Sequence, residues 1–255
     1  MRIGVVGLGL IGGSIFKNLL ESKKHDIVGV SRSVNEFNVS KDYTNLKGCD
    51  LVFVCTPMNV TLKILDELNE ILDRETLVTD VCSLKEFVSK KDYNFRFLPS
   101  HPMAGTEHSG WDYAFPDMFE GATWAITPKP ENSQDDINLL KLIVEEFGAR
   151  AFITTPQEHD KAAALISHAP MVVAQALCKN ILDNETAMTL ASSGFRDTTR
   201  LALSNLEMAN DMVSMNGENI KEVISLLNTN LNSLLGENYK EQAEKIKEFR
   251  SSLYT

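Results

Sequence analysis

A glycine-rich turn between an apolar strand and an apolar helix constrains the fold of this chain more than any other feature. The strand runs from Arg2 to Val6, and Gly7, Gly9 and Gly12 then fit the spacing G-x-G-x-x-G. The first glycine of such a turn permits a tight bend, the second lets the backbone approach a pyrophosphate, and the third lets helix pack on strand. The helix N-terminus favours phosphate. The residues that we predict to bind a dinucleotide are Gly7, Leu8, Gly9, Leu10, Ile11 and Gly12. The alternative is a glycine turn without a ligand.

The end of the second predicted strand bears on the choice of cofactor. NAD-binding folds of this type place a carboxylate about 20 positions beyond the glycines, where it binds the ribose hydroxyls. Here the sequence is Ser31-Arg32-Ser33, with no carboxylate. The guanidinium of Arg32 is a planar cation that can form paired hydrogen bonds with a 2'-phosphate. We therefore expect NADP to be favoured and NAD to be possible; the alternative is that Arg32 is a solvated surface residue.

Residues 1–154 alternate between predicted strands and helices. After the second strand, further strands are expected at 51–55, 76–80, 95–98, 123–127 and 150–153, and helices at about 59–72, from about 84, and at about 134–147. The polar segment 34–48 is too short for a crossover helix, so we expect a turn there. Thr56 and Pro57 end one strand at the cofactor edge. The alternation predicts an α/β fold with a Rossmann-type, doubly wound parallel sheet over 1–154.

The strand pattern stops after residue 154. Thr155 and Glu158 form a capping box, and the helix from Ala162 to Leu182 is apolar on nearly every face. Three or four more helices are expected after it. We predict an all-α dimerisation domain over 155–255, because an intertwined homodimer would bury a helix that is apolar all round.

Composition and charge limit the classes of partner. The formal net charge of -10 disfavours nucleic acid and anionic membranes, and no cluster of lysine and arginine offsets it. No apolar run approaches the roughly 20 residues of a membrane span, and the N-terminus is a core strand rather than a leader peptide. We expect a cytoplasmic protein. Its four cysteines have no C-x-x-C pair or ligand-like spacing with histidine, so no metal site is expected.

Four features beyond the glycine turn could carry chemistry. Ser83 follows a strand end, and His101 precedes a proline in a predicted long loop at the same sheet edge. His168 lies in the apolar helix, and the segment 193–200 opens another helix. Each has a structural alternative: His101 could satisfy backbone carbonyls, His168 could be a core residue, and the charged residues of 193–200 could form surface pairs. His159 is interpreted as solvated or locally paired.

Five blocks of the sequence together resemble the prephenate and arogenate dehydrogenases of tyrosine biosynthesis. They are residues 7–14, 79–85, 101–107, 166–170 and 191–200. The resemblance runs in order from residue 1 to about 235, although segment 34–48 is shorter than usual. It implies a Rossmann domain followed by a helical dimerisation domain. Two alternatives are a 3-hydroxyacid dehydrogenase, expected to use a helix lysine as base, and a non-catalytic nucleotide-sensing protein.

The resemblance also implies roles for individual residues. His101 matches the histidine that accepts the proton of the ring hydroxyl, with Ser83 beside it as a second catalytic residue. Arg200 matches the arginine that receives a substrate carboxylate. The other residues expected around the substrate are His168, Glu107 and Asp197. The implied reaction is oxidative decarboxylation of prephenate to 4-hydroxyphenylpyruvate or of arogenate to tyrosine, and the sequence does not choose between these substrates.

Overall fold

A six-stranded parallel sheet lies in the N-terminal part of the chain. The computed structural model describes residues 1–106 and 108–253. The strands of this sheet are β1 (Arg2–Val6), β2 (Asp26–Val30), β3 (Val39–Ser40), β4 (Leu51–Val54), β5 (Leu77–Asp80) and β6 (Arg96–Phe97). They lie in the order β3-β2-β1-β4-β5-β6, and every neighbouring pair is parallel. This order is that of the Rossmann fold, so the predicted fold class is confirmed.

Three α-helices and one short segment without an α-helix connect the strands of this sheet. The helices between its strands are α1 (Leu10–Ser22), α2 (Met58–Asn69) and α3 (Glu86–Ser89). The segment 34–48 contains β3 and a single 3₁₀ turn at Tyr43–Leu46. The prediction that this segment is reduced to a turn is therefore confirmed, because no crossover helix separates β3 from β4.

A second, three-stranded sheet carries His101. Its strands are β7 (Ser100–Pro102), β8 (Thr123–Ile126) and β9 (Arg150–Ile153), in that order, and α4 (Gln134–Glu146) connects β8 to β9. β8 and β9 are parallel, whereas β7 is antiparallel to β8 and pairs His101 with Ala125. The predicted loop around His101 is wrong. Only Leu98 and Pro99 separate β6 from β7, and a residue before a proline is confined to extended backbone, which suits a strand.

The core lies on both faces of the first sheet. On one face Phe53 packs with Trp124, Phe119 and Phe147, all almost completely buried. On the other face the apolar residues of α2 pack against Val52 and its neighbours in the sheet. The two clusters hold the sheet between two packed apolar layers.

The chain after residue 154 is helical, as predicted. It begins with α5 (Pro156–Ala163), a π-helical turn (Ala164–His168) and α6 (Ala169–Lys179), which form one continuous helix. The helices that follow are α7 (Glu185–Leu190), α8 (Ser193–Thr199), α9 (Leu206–Met215), α10 (Gly217–Leu234) and α11 (Tyr239–Ser252). Met171 and Met212 pack against Met58 and Leu84, so the helices contact the N-terminal part of the chain directly.

The continuous helix Pro156–Lys179 leaves much apolar surface uncovered. Leu165 and Ile166 are 51% and 65% exposed. By length and composition alone this helix could cross a membrane, which the sequence analysis did not anticipate, and a third of its most apolar window is buried in the protein. Core helices of soluble proteins pass the same test, and this helix also carries buried polar residues, including Asp160.

Candidate functional site

The glycine turn has a shape that only glycine allows at two of its positions. Gly7 has a φ of 86°, and a Cβ there would lie 2.7 Å from the carbonyl oxygen of Cys55. A Cβ at Gly12 would lie 2.0 Å from the carbonyl oxygen of Gly7. Gly9 is different, because a Cβ there meets no atom within 4 Å. Gly7 and Gly12 are thus required by the fold, while Gly9 borders open space at the N-terminus of α1.

The N-terminus of α1 is not satisfied by the protein's own side chains. Gly9 is its N-cap residue, no side chain forms a capping hydrogen bond, and the first turn contains no acidic residue. Backbone N–H groups in this position favour an anion. The turn and the open space beside Gly9 therefore fit the pyrophosphate of a dinucleotide.

Of the residues after β2, Ser31 is buried and stabilises the turn, whereas Arg32 is exposed to solvent. The Ser31 hydroxyl accepts a hydrogen bond from the Val34 backbone N–H at 3.2 Å and one from the Ser33 N–H at 3.4 Å, so it holds the turn. Arg32 is exposed. Burial raises the pKa of the Tyr43 phenol, and the nearby Arg32 guanidinium opposes that rise. A cation and an aromatic ring therefore flank the end of β2, with no carboxylate among residues 31–33.

The turn after β4 is fixed from the start of α2. The hydroxyl of Thr61 lies 2.9 Å from that of Thr56 and donates to the backbone carbonyls of Thr56 and Pro57, at 3.1 and 2.9 Å. The thiol of Cys82 in turn donates to the Thr61 hydroxyl at 3.2 Å. These bonds join the carboxyl ends of β4 and β5.

A chain of hydrogen bonds, here called the histidine relay, joins His101, His159 and Asp160. His101 Nδ1 lies 3.0 Å from His159 Nε2, and His159 Nδ1 lies 2.8 Å from Asp160 Oδ1. Asp160 also accepts hydrogen bonds from the backbone N–H groups of Lys85 and Glu86, at 2.8 and 2.9 Å. His101 is half-buried on β7, whereas His159 is 5% exposed on α5. The relay therefore runs from the second sheet to the helical region.

A buried ion pair fixes the backbone next to His101. The Lys85 ammonium and the Asp80 carboxylate are in direct contact, and both residues are fully buried. Lys85 Nζ also donates to the backbone carbonyl of Ser100 at 2.7 Å. The Ser100 hydroxyl donates to the carbonyl of Asp80 at 2.9 Å and accepts from the Trp124 indole N–H at 2.9 Å. These contacts tie β5 to β7 and so place His101 at the carboxyl edge of β5.

The surroundings of His101 keep its ring neutral. Burial holds the pKa of His101 well below the usual histidine value, and the positive charges that His159, Lys85 and His168 can carry add to the effect. A neutral imidazole is the form that accepts a proton. His101 is therefore in the protonation state that a general base needs.

His168 lies at the end of the π-helical turn, and only 1% of it is exposed. The side-chain amide of Asn216 donates to His168 Nδ1 at 3.0 Å and to the carbonyl of Asp160 at 2.9 Å. Burial lowers the pKa of His168 to about 4, partly opposed by the Asp160 carboxylate. His168 is therefore neutral with its remaining proton on Nε2, and π-helical turns are frequent at functional sites.

The remaining predicted site residues are not part of the histidine relay. Ser83 is half-buried in the turn between β5 and α3, two residues before Lys85. Arg200 is exposed at the end of α8, in a 3₁₀ turn that packs on α6. Asp197 is exposed and pairs with Arg196 at 3.3 Å. Within the described part of the chain, Arg200 and Asp197 form no hydrogen bond or ion pair with the histidine relay. Glu107 lies outside the described residues.

Sequence analysis missed His159 and Asp160 as parts of the site. The local pairing of His159 with a neighbour was anticipated, but the contact with His101 spans 58 positions of sequence. No spacing rule connects two positions so far apart. The available signal was the capping box at Thr155, which places His159 and Asp160 in the first turns of a helix whose later turns are apolar. The buried role of Lys85 was missed for the same reason.

The strand order and the glycine turn define a Rossmann-type nucleotide-binding protein with a helical second region, and a half-buried neutral histidine lies at the edge of its parallel sheet. Residues 21–154 match the family model described as "Prephenate dehydrogenase, nucleotide-binding domain", and residues 155–252 match "Prephenate dehydrogenase, dimerization domain". The chain belongs to the prephenate dehydrogenase family.

Individual relatives agree with this family. The chain is 33% identical over 242 residues to prephenate dehydrogenase of Bacillus subtilis (strain 168), an alignment that covers 85% of this chain and 64% of that protein. It thus spans less than two thirds of that relative. The structure of Synechocystis arogenate dehydrogenase is similar with a TM-score of 0.81 and 29% identity, covering 99% of this chain and 97% of that one. Prephenate dehydrogenase from A. aeolicus, in complex with hydroxyphenyl propionate and NAD+, has a TM-score of 0.82 and 26% identity, with 99% and 96% covered.

Proposed function

We propose that the protein oxidises and decarboxylates prephenate to 4-hydroxyphenylpyruvate with reduction of NAD(P). The observation that carries this proposal is His101, a half-buried histidine with a lowered pKa beside the edge that the glycine turn borders. Arogenate, which would give tyrosine, is the second candidate substrate, supported by the similarity to Synechocystis arogenate dehydrogenase. Membership of the prephenate dehydrogenase family argues against the alternatives of a 3-hydroxyacid dehydrogenase and a nucleotide sensor.

The cofactor would be held by the turn and by the ends of β2 and β4. Gly7 to Gly12 would bind the pyrophosphate, Ser31, Arg32 and Ser33 the ribose, and Thr56 and Pro57 the nicotinamide side. The bound nicotinamide supplies the hydride acceptor. Arg32 is exposed where NAD-binding folds place a carboxylate, which favours NADP, while the A. aeolicus relative is described with NAD+.

The side chains would orient the substrate and remove one proton. His101 would accept the proton of the C4 hydroxyl as hydride leaves C4, with Ser83 beside it. Loss of the ring carboxylate as carbon dioxide is then driven by aromatisation. A positioned general base typically contributes about 10²- to 10⁴-fold in rate. Arg200 would receive a substrate carboxylate, and His168, Glu107 and Asp197 would complete the polar surroundings.

The helical region would be the dimer interface. Two exposed apolar residues of the helix Pro156–Lys179, Leu165 and Ile166, would be covered by a second copy of the chain, as the family description of a dimerization domain suggests. We place the boundary between the two domains at residues 154 and 155, where the last strand gives way to helices. In such a dimer the apolar face of this helix would be covered by protein rather than by lipid. We therefore expect the helix not to span a membrane and the protein to be cytoplasmic.

The test is a spectrophotometric assay of cofactor reduction with each pairing of prephenate or arogenate with NAD or NADP. We expect turnover with prephenate and NADP, and its loss in His101→Asn. His25→Asn is the control, because His25 pairs with Glu146 away from the relay. Turnover of arogenate alone would replace prephenate as the substrate, and no turnover with either would refute the proposed function.

A further inference from the structure

The histidine relay contains two residues to which the proposed chemistry assigns no part. We propose that His159 and Asp160 are positioning residues that set the tautomer of His101, leaving His101 Nε2 without a proton. The inference rests on the proposed function only in taking His101 as the base. Its evidence is the two hydrogen bonds, at 3.0 and 2.8 Å, that join the three side chains in series.

The direction of these hydrogen bonds follows from the carboxylate. Asp160 accepts two backbone N–H bonds, from Lys85 and Glu86, and as a carboxylate it can only accept. His159 Nδ1 must therefore donate to Asp160. A neutral imidazole has one N–H, so His159 Nε2 must accept. The donor to it is His101 Nδ1, and this leaves Nε2 as the lone-pair nitrogen of His101.

The opposite polarity would disable the base. If His159 carried two protons, its Nε2–H would donate to His101 Nδ1, and the single proton of His101 would move to Nε2. His101 would then present a donor where the substrate hydroxyl needs an acceptor. A second proton on either histidine would therefore leave His101 Nε2 as a donor. A carboxylate that holds a catalytic histidine in one tautomer has the same role in Ser-His-Asp triads.

Charged groups on each packed element support this polarity. The groups that act on His101 are Lys85 from the start of α3, His159 from α5 and His168 from the π-helical turn. The Lys85 cation disfavours a second proton on His101. The Asp160 carboxylate lies beyond His159 and favours a proton on the side of His159 that faces it. The Asn216 amide holds the carbonyl of Asp160 at 2.9 Å, which fixes the end of the relay.

Nitrogen NMR of the complete chain, labelled with ¹⁵N-histidine and without cofactor, tests the tautomers directly. The chain has five histidines, and His25→Asn serves as an assignment and activity control. We expect protons on Nδ1 of both His101 and His159, the less populated tautomer of free histidine in water. His159→Phe keeps a ring but removes the acceptor, so His101 should return to the Nε2–H form. A proton on His101 Nε2 in the unmodified protein overturns the inference.

Kinetics provide the second readout. His159→Phe should lower kcat by about 10²-fold or more with KM changed less than about 2-fold, because general-base catalysis is lost while binding remains. His159→Gln places an amide oxygen near the former Nε2 and should restore part of kcat. An unchanged kcat and acid limb in His159→Phe would overturn the inference. If the unmodified protein turns over neither substrate, the proposed function fails, whereas the NMR result still decides the tautomer.

Discussion

Alanine at Gly9 and alanine at Gly12 should affect different properties of the protein, although both residues lie in the same turn. The first should weaken cofactor binding and the second should lower stability. A Cβ at position 9 meets no atom within 4 Å, and Gly9 has a φ of -82°, which alanine adopts. Alanine in place of glycine at an N-cap costs at most about 1 kcal/mol of stability. Gly9→Ala should therefore fold almost normally, and its defect should lie in cofactor binding.

The size of that defect follows from the place of the added methyl group. It would occupy the open space through which phosphate oxygens reach the N–H groups of α1. Loss of one hydrogen bond to a charged group costs about 1.5–3 kcal/mol, which is roughly a 10- to 150-fold rise in Kd. Gly12→Ala differs, because its Cβ would lie 2.0 Å from the Gly7 carbonyl oxygen and 2.7 Å from Cβ of Cys55.

Atoms in contact lie about 3.5–4.0 Å apart, so Gly12→Ala forces α1 away from β1. Overpacking costs about 1–3 kcal/mol, against about 1 kcal/mol gained in helix propensity. Urea unfolding and calorimetric titration with NADP and NAD separate the two variants. We expect Gly12→Ala to lower the free energy of unfolding and Gly9→Ala to weaken binding alone. Unchanged cofactor affinity in Gly9→Ala would refute phosphate binding at this turn.

Four further predictions concern catalysis, specificity and assembly. His101→Asn should lower kcat by about 10²- to 10⁴-fold and abolish the acid limb of the pH–rate profile. Because burial lowers the pKa of His101, that limb should lie below the usual histidine value of about 6.5 in the unmodified protein. An acid limb that persists in the variant would identify another base. Arg200→Gln should chiefly raise KM, as expected when a contact is made equally in ground and transition states, and a fall in kcat alone would contradict this. Arg32→Ala should weaken NADP more than NAD in binding titrations, and equal losses would remove Arg32 as the selecting residue. Light scattering at micromolar concentration should give the mass of a dimer, whereas a monomer of 28.4 kDa would show that one chain suffices.

The parts of the structure that depend on neighbours in sequence could be predicted from it. The glycine turn, the short segment 34–48 and the change to helices after residue 154 each follow from local spacing or length. The strand containing His101 could not be predicted, because its antiparallel pairing depends on β8, which lies over 20 positions away.

The candidate site was predictable only where a residue type was unusual in its place. His101 beside a proline was identified on that ground, whereas His168 in an apolar helix was assigned to the site by the family resemblance. The buried positions of His159, Asp160 and Lys85 depend on contacts between α5, α3 and β7, which no periodicity encodes. The exposure of Arg200 is also a property of packing, since its local sequence is compatible with a buried anion clamp.

The backbone bonds of Asp160 restrict what can replace it. Its carboxylate caps the first turn of α3 by accepting hydrogen bonds from the N–H groups of Lys85 and Glu86. It also accepts a hydrogen bond from His159 Nδ1. Asparagine has one carbonyl oxygen and one amide nitrogen that only donates, so it cannot accept all three bonds. Glutamate places its carboxylate one methylene farther away. Position 160 therefore combines a folding requirement with a catalytic one, and a library of variants there cannot separate helix capping from activity. To test the effect of the relay on activity alone, the substitutions have to be made at position 159.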